Sequence, residues 1–392
     1  MELRAIKPEE YPEALRLMGL CFRFDEREYR ANDTGCRHEG MCGAFGDDGA
    51  MTSLVVNNPY QAAYWGRWVG MSGVGGVATL PQYRREGHIR ALMNYALRSA
   101  YDRGDWIAAL YPFSHPFYRK FGFENGQPVD TCIIQNEALQ AFAPIGTVTQ
   151  YLPGQDDAAL RAVYLRYAAG RNLACARTED MWQNRLRHDP WRDHVYTYLW
   201  ATDEGEPQGY LTVRHELTDG VKWFRVTDWA YATPQALRGL MGALKLLAPS
   251  GKRVELRLPP EVDPFLLFPE PLAVQVRRGP GGMARVLRVE ECLRHHPWPE
   301  GFRLRVQAED PVLVENNAVF ELECRHGETA VRRVTGEPDV AASIQALSVL
   351  LLGVADWPRV QLNHADACRV SHHVPGLEAA FPAHPHSLRE MF

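Results

Sequence analysis

Two short stretches bring together residue types that could do chemistry, the first of them suited to phosphate. The first, "VATLPQYRREGHIRALM" (77–93), leads a strand-like run into Pro81, sets Arg84 and Arg85 ahead of Gly87, and opens a long helical pattern. Free N–H groups at a helix start carry partial positive charge and can cradle a pyrophosphate. A glycine there lets the backbone approach the ligand closely, and Arg84, Arg85 and Arg90 can pair with phosphates. The second, "HPFYRKFGFE" (115–124), surrounds Tyr118 with Phe117, Phe121 and Phe123. Such a run could hold the Tyr118 phenol in place for chemistry. Plain readings also exist: a solvated basic helix start for the first stretch and a buried strand end for the second.

Competing chemistries find less support. Gly73-Val74-Gly75-Gly76-Val77-Ala78 fits G-x-G-x-x-A, but a dinucleotide fold needs a helix to open at that point. Here Val77-Ala78-Thr79-Leu80 continues as strand into Pro81. No G-x-x-x-x-G-K-[ST], H-E-x-x-H or G-x-S-x-G occurs. The eight cysteines lack paired C-x-x-C spacing, and neither "CRHEGMC" (36–42) nor the His364/Cys368 pair reaches a full ligand set, so no metal is expected.

These residues need strands and helices to hold them. "MELRAI" reads as a strand, and Tyr11, Leu15, Met18 and Phe22 recur at helical spacing. The stretch 41–80 alternates short β-like runs with turn signals such as Asp47-Asp48-Gly49. Ile89, Leu92, Met93, Ala96, Leu97, Ala100 and Tyr101 form a helical stripe ending at Arg103-Gly104, and "DWIAALYPF" follows as a buried strand. Strand, turn, helix and strand in that order predict an α/β (α+β) core. Residues 226–260 repeat the plan weakly, with Pro234 in the place of Pro81 but no Arg-Arg-x-Gly. After "RRGPGGMARV" come three further strands and the apolar helix of "PDVAASIQALSVLLLG". Its Ile344, Leu347, Leu350, Leu351 and Leu352 fit either a core or the wall of a lipid cavity.

The chain has 392 residues, 46% hydrophobic and 23% charged, with a formal charge of −5. Such a composition suits several soluble domains, and the mild charge excludes a general nucleic-acid or anionic-membrane binder. The N-terminus does not read as a signal peptide and the longest apolar run, 344–355, is too short to span a bilayer, so the cytoplasm is the expected compartment.

V-x-x-x-P-x-x-R-R-x-G-x-x-R after a strand resembles the acetyl-coenzyme A loop of GNAT N-acetyltransferases. Over nearly its whole length the chain resembles the enhanced intracellular survival (Eis) type: two fused GNAT domains, the second degenerate, then a sterol-carrier-protein-like domain. Pro and Gly near 140–148 and the loop at 277–286 mark the boundaries, which the resemblance shares: 1–145, 146–283 and 284–392. General GNAT loops read R/Q-x-x-G-x-G/A; Arg84-x-x-Gly87-x-Ile89 departs at the last position, as Eis-type loops do. The resemblance implies acetyl-CoA as cosubstrate. Val77, Ala78 and Thr79 would offer backbone to its pantetheine arm, Arg85, Glu86, Gly87, His88, Ile89 and Arg90 would wrap its pyrophosphate, and Phe113 and Ser114 would line the thioester. It implies Tyr118 as general acid and the terminal carboxylate of Phe392 as base, with Asp25, Glu26 and Glu390 as acidic groups for a cationic amine. A free α-carboxyl, with a pKa of about 3.3–3.7, is a feeble base, so orienting the ammonium and acting through water fits it better than direct proton abstraction. The implied acceptor is a primary amine of a polycationic small molecule, aminoglycosides being the family's known class. Alternatives are a peptide lysine, or a lipid-binding module with a vestigial transferase. A homo-oligomer, a hexamer by resemblance, is also implied.

Overall fold

The computed structural model describes all residues except 26–37, 219, 249–252 and 392. Among the described residues no helix is long and apolar enough to cross a membrane. The chain divides into two units, one comprising 1–127, 172–175 and 281–392, the other 128–171 and 176–280.

The first unit opens with β1 (Glu2–Ala5), helix α1 (Tyr11–Phe22), β2 (Met41–Phe45), β3 (Met51–Tyr64) and β4 (Arg67–Thr79). Helix α1 buries Ala14, Leu15, Leu17 and Met18, and Arg23 closes it in the left-handed region; Phe22, placed on the buried stripe by spacing alone, is exposed. Gly49, at φ 78°, makes the turn between β2 and β3. Helix α2 (His88–Arg103) buries Leu92, Met93, Ala96, Leu97 and Ala100 and stops at Gly104, φ 97°. Full burial of Leu92, Met93 and Leu97 contributes about 1.5–3 kcal/mol each, which anchors the helix whose first turn is the candidate phosphate site. β5 (Ile107–Leu110) follows, then helix α3 (His115–Arg119) and β6 (Glu124–Asn125).

The second unit carries β7 (Val129–Gln135), β8 (Thr147–Tyr151), β9 (Val195–Ala201), β10 (Pro207–Thr218), β11 (Val221–Tyr231), β12 (Arg253–Leu258) and β13 (Val274–Gly279), ordered β13-β7-β12-β11-β10-β9-β8. Helix α4 (Pro234–Leu247) starts at Thr233, whose Oγ1 accepts from the Ala236 N–H at 3.1 Å. The parallel pairing of β11 with β12 covers only Trp223–Arg225. Beyond it, buried Trp229 donates its indole N–H to the Arg257 carbonyl at 3.1 Å. Asp228 pairs with the buried Arg177 (2.7 Å) and accepts the Tyr210 hydroxyl (2.9 Å). Counting back from the matched prolines, Asp228 and Trp229 stand where the first domain has Gly75 and Gly76. The degenerate repeat has filled the space that its counterpart leaves.

β14 (Met283–Val286) completes the first unit's sheet, ordered β1-β2-β3-β4-β5-β14-β6. Each sheet thus takes in one strand from beyond the repeat that supplies most of it. β7 lies between β12 and β13, and β14 lies between β5 and β6, all four pairings antiparallel. The rest of the first unit is a five-stranded sheet ordered β17-β16-β15-β18-β19, from β15 (Arg303–Glu309), β16 (Val319–Arg325), β17 (Glu328–Val334), β18 (Val340–Ser343) and β19 (Cys368–Val370). Helix α5 (Ile344–Leu351) is buried along nearly its whole length, and Ile344, Leu347, Leu350, Leu351 and Leu352 are all core.

Candidate active site

The site begins where two parallel strands part. β4 pairs with β5 from Met71↔Ile107 to Val74↔Leu110 and no further, yet it runs on to Thr79. Its other edge stays paired to β3, with a register shift opposite Leu54–Val56. Gly76 takes φ +54° at this bulge, and a Cβ there would lie 2.5 Å from Val56 Cγ2, so only glycine fits. Gly75–Thr79 therefore present a strand edge released from β5, and released backbone amides can bond an extended, amide-bearing ligand. Val77 packs on the α2 cluster and Ala78 is buried on the α1 side. Thr79 is already engaged: its hydroxyl accepts from Ser53 Oγ at 3.0 Å, and its carbonyl accepts from Cys21 Sγ at 3.5 Å and Arg84 Nε at 3.4 Å.

At the end of β4 the loop turns twice through left-handed conformations, at Arg85 (φ 71°) and Gly87 (φ 87°). The first bond closing α2 is Ala91 N–H to the Gly87 carbonyl, 3.1 Å. The amides of His88, Ile89 and Arg90 thus lie in the turn that has no intrahelical acceptors, and a left-handed residue leading into a helix forms an anion-binding nest. Arg84, Arg85, Glu86 and Arg90 are exposed around it. The His88 side chain turns inward. Thr52 gives its only proton to the Ala44 carbonyl (3.1 Å), so the His88 Nδ1–H donates to Thr52 Oγ1 (3.0 Å). Glu86 lies 3.4 Å from the other ring nitrogen and Tyr83 stacks on the face. What His88 offers an anion is its backbone, not its imidazole. Thr52 and Ser53 carry no sequence signal for this role; their partners lie on distant stretches of chain.

On the other side of the opening, the chain leaves β5 at Leu110 and passes through Tyr111, Phe113 and Ser114 into α3. Tyr118 is 2% exposed, with Phe113, Phe117 and Phe123 edge-on to its ring at centroid distances of 5.3, 5.1 and 6.2 Å. Among the described residues its hydroxyl has no hydrogen-bond partner. Burial pushes its pKa well above that of an ordinary tyrosine, so it holds its proton throughout the neutral range. Phe121 and Phe123 are core, whereas Phe113 stands 69% exposed. Arg119 forms an ion pair with buried Glu124 (2.6 Å).

The C-terminal segment reaches the same strand end. The Tyr111 hydroxyl donates to the Leu388 carbonyl at 2.9 Å, the Gln127 amide N–H to His386 Nε2 at 2.7 Å, and Gln127 Nε2 to the His384 carbonyl at 2.9 Å. Glu390 is buried and Asp25 is exposed just past α1. Glu26 and Phe392 lie outside the described residues. Among the described residues no group of three or more His, Cys, Asp or Glu side chains is arranged to hold a metal ion.

Residues 2–126 and 173–289 each match a family model described as an acetyltransferase (GNAT) domain, and residues 289–386 match a sterol carrier protein domain. The chain is a GNAT acyltransferase with the Eis-type fold. Its similarity to an uncharacterized N-acetyltransferase of Streptomyces griseus is 24% identity over 94% of both chains. A GCN5-related N-acetyltransferase from Anabaena variabilis superimposes with a TM-score of 0.87 at 20% identity, covering all of both chains. Eis1 from Mycobacterium abscessus does so with a TM-score of 0.81 at 21% identity, again over the full length of both. In this GNAT acyltransferase the opened β4–β5 edge, the Arg84–Arg90 loop and Tyr118 all belong to the first domain, while the corresponding position of the second is filled by Trp229 and Asp228.

Proposed function

We propose that the protein transfers the acetyl group of acetyl-CoA to a primary amine of a polycationic small molecule, and that the first GNAT domain carries the reaction. The pantetheine arm lies along the released edge at Val77–Thr79. The pyrophosphate sits on the amides of Arg85–Arg90, with Arg85 and Arg90 as charge partners, and the thioester meets Phe113 and Ser114. Attack of the amine on the thioester carbonyl forms a C–N bond and an oxyanion, which the β4 amides near Val77 stabilise. Collapse breaks the C–S bond, and Tyr118 delivers its hydrogen to the departing sulfur. With the phenol's affinity for its proton raised by burial, the donor works first as a hydrogen bond to the developing thiolate, and the proton released by the ammonium completes the balance. The Phe392 carboxylate attracts and orients the ammonium and relays its proton through water, with Asp25, Glu26 and Glu390 adding negative charge for a polycation.

The observation that carries this reading is Tyr118: a buried, fully protonated phenol, without a hydrogen-bond partner among the described residues, set just past the end of β5 where β4 leaves it. Purified protein is expected to release thiol from acetyl-CoA only when an amine is present, and a panel of aminoglycosides, polyamines and lysine peptides ranks the acceptors. Tyr118→Phe, which removes one oxygen, is expected to lower kcat by roughly 10²–10⁴-fold with little change in the KM for acetyl-CoA. A panel on which lysine peptides outrun every small polyamine would move the acceptor to proteins. Thiol release unaffected by Tyr118→Phe would remove the tyrosine from the chemistry.

A further inference from the structure

Before the chain ends it passes through an anchorage built around one buried side chain, Asn172, 1% exposed. Residues 172–175 belong to the first unit although the chain on either side belongs to the second. They pair with the end of β3: Leu173 N–H donates to the Ala63 carbonyl (2.8 Å) and Ala63 N–H to the Ala174 carbonyl (2.9 Å). On the opposite edge the same segment holds the C-terminal stretch. Asn172 N–H donates to the Pro385 carbonyl and Ser387 N–H to the Asn172 carbonyl, both at 2.9 Å, in a parallel bridge centred on His386. The carboxamide of Asn172 fixes this crossing from the side. Its Oδ1 accepts from the Trp65 N–H (2.6 Å) at the tip of the β3–β4 hairpin, and its Nδ2 donates to the Leu352 carbonyl (3.0 Å) just past α5. Every polar group of Asn172 is thus bonded, the two backbone groups to the C-terminal stretch and the two side-chain groups to two other pieces of chain.

We infer that Asn172 is a positioning residue for acetyl transfer. It straps residues 385–387 to the β3–β4 hairpin so that the terminus enters the β5 end of the site on a fixed path. Past the strap, Tyr111 takes the Leu388 carbonyl, and residues 389–392 can extend at most roughly 13–14 Å further. Such a short reach makes the position of residue 388 decide where the terminal carboxylate falls. A full strand-like attachment is needed because a chain end left to itself is disordered. The inference rests on the proposed role of the Phe392 carboxylate.

Two variants test it in the full-length protein. Asn172→Ala strips the carboxamide that braces the crossing, and Tyr111→Phe removes only the hydroxyl that holds Leu388. Carboxypeptidase digestion followed by mass spectrometry is expected to release the terminal residues at least ten-fold faster from either variant than from the parent. The kcat of Asn172→Ala is expected to fall at least ten-fold with the KM for acetyl-CoA within two-fold. In a chain ending at Leu388 the same substitution should change the residual rate less than two-fold, because what it positions is gone. Unchanged digestion in both variants overturns the strap, and so does an equal loss of kcat in the full and shortened chains, which would mark a purely structural residue. Should the shortened chain keep full activity, the carboxylate reading fails, and digestion alone decides whether the strap exists.

Discussion

At the scale of residues, the site divides into groups that chemistry makes recognisable and groups that only folding brings in. Arg84, Arg85, Gly87 and Arg90 were legible because an anion-binding helix start needs those types in that order. The role proposed for Tyr118 came through the resemblance, because its own stretch reads only as a buried aromatic strand end. Thr52, Ser53 and Tyr111 were not legible, since a hydroxyl gains its role from a partner 36, 26 or 277 positions away. The loop makes its own prediction. Gly87 sits at φ 87° with nothing within 4 Å of where a Cβ would stand, so Gly87→Ala meets no clash but strains the backbone by about 1 kcal/mol. The expected outcome is a several-fold rise in the KM for acetyl-CoA with thermal stability nearly intact, measured by steady-state kinetics and a melting curve. A lowered kcat at unchanged KM would place the glycine elsewhere in the reaction. For Tyr118 the raised pKa sets a sign: no loss of activity between pH 7 and 9 should arise from its ionisation, and a basic limb in that range that vanishes in Tyr118→Phe would contradict it.

At the scale of elements, periodicity identified α1, α2, α5 and the strands that flank the site, while the strand exchanges stayed hidden. "VDTCIIQ" and "MARV" are both plausible strands, and an alternating pattern says which face is buried, not which neighbour is bonded. The exchange of β14 has a consequence for the turn that carries Tyr118, the proposed acid. Arg285, on β14, is fully buried; it pairs with fully buried Asp310 and donates to the carbonyl of Phe121, three residues past Tyr118. Asp310 in turn accepts from Asn316 (2.8 Å) and from the amides of Val312 and Leu313 (2.9 and 3.1 Å). Removing one partner of a buried pair leaves an uncompensated charge and costs about 3–5 kcal/mol. Asp310→Asn is therefore expected to lower the unfolding free energy of the first unit by that amount, read from denaturant titration, and to lower kcat by loosening the Tyr118 turn. A loss well under 1 kcal/mol would mean that the pair is not the brace that its burial indicates.

At the scale of the whole molecule, the third domain brings the C-terminal segment to the first GNAT domain, and two buried histidines are expected to make that arrangement acid-sensitive. Burial holds His386 and His296 down to about 4, the latter against the pull of the Ala380 carbonyl. The unfolded chain protonates these groups near their ordinary value of about 6.5, so between about pH 6.5 and pH 4 it binds protons that the folded state refuses. Stability is fully present above that window and falls through it by about 1.4 kcal/mol per pH unit for each histidine. Melting temperatures of the parent should decline from pH 6.5 toward 4, and His386→Gln should make the decline shallower; an unchanged slope would exclude His386 as one of its sources. The resemblance made the terminus a candidate base, but Asn172, far off in sequence and chemically unremarkable, gave no sign of holding it. The most direct measurement is the kcat for amine-dependent thiol release by a chain carrying one extra glycine after Phe392, which moves the carboxylate without touching any described residue. A fall of at least a hundred-fold at unchanged KM for acetyl-CoA is the predicted result, whereas a kcat equal to the parent's would contradict a terminal carboxylate at the reacting amine.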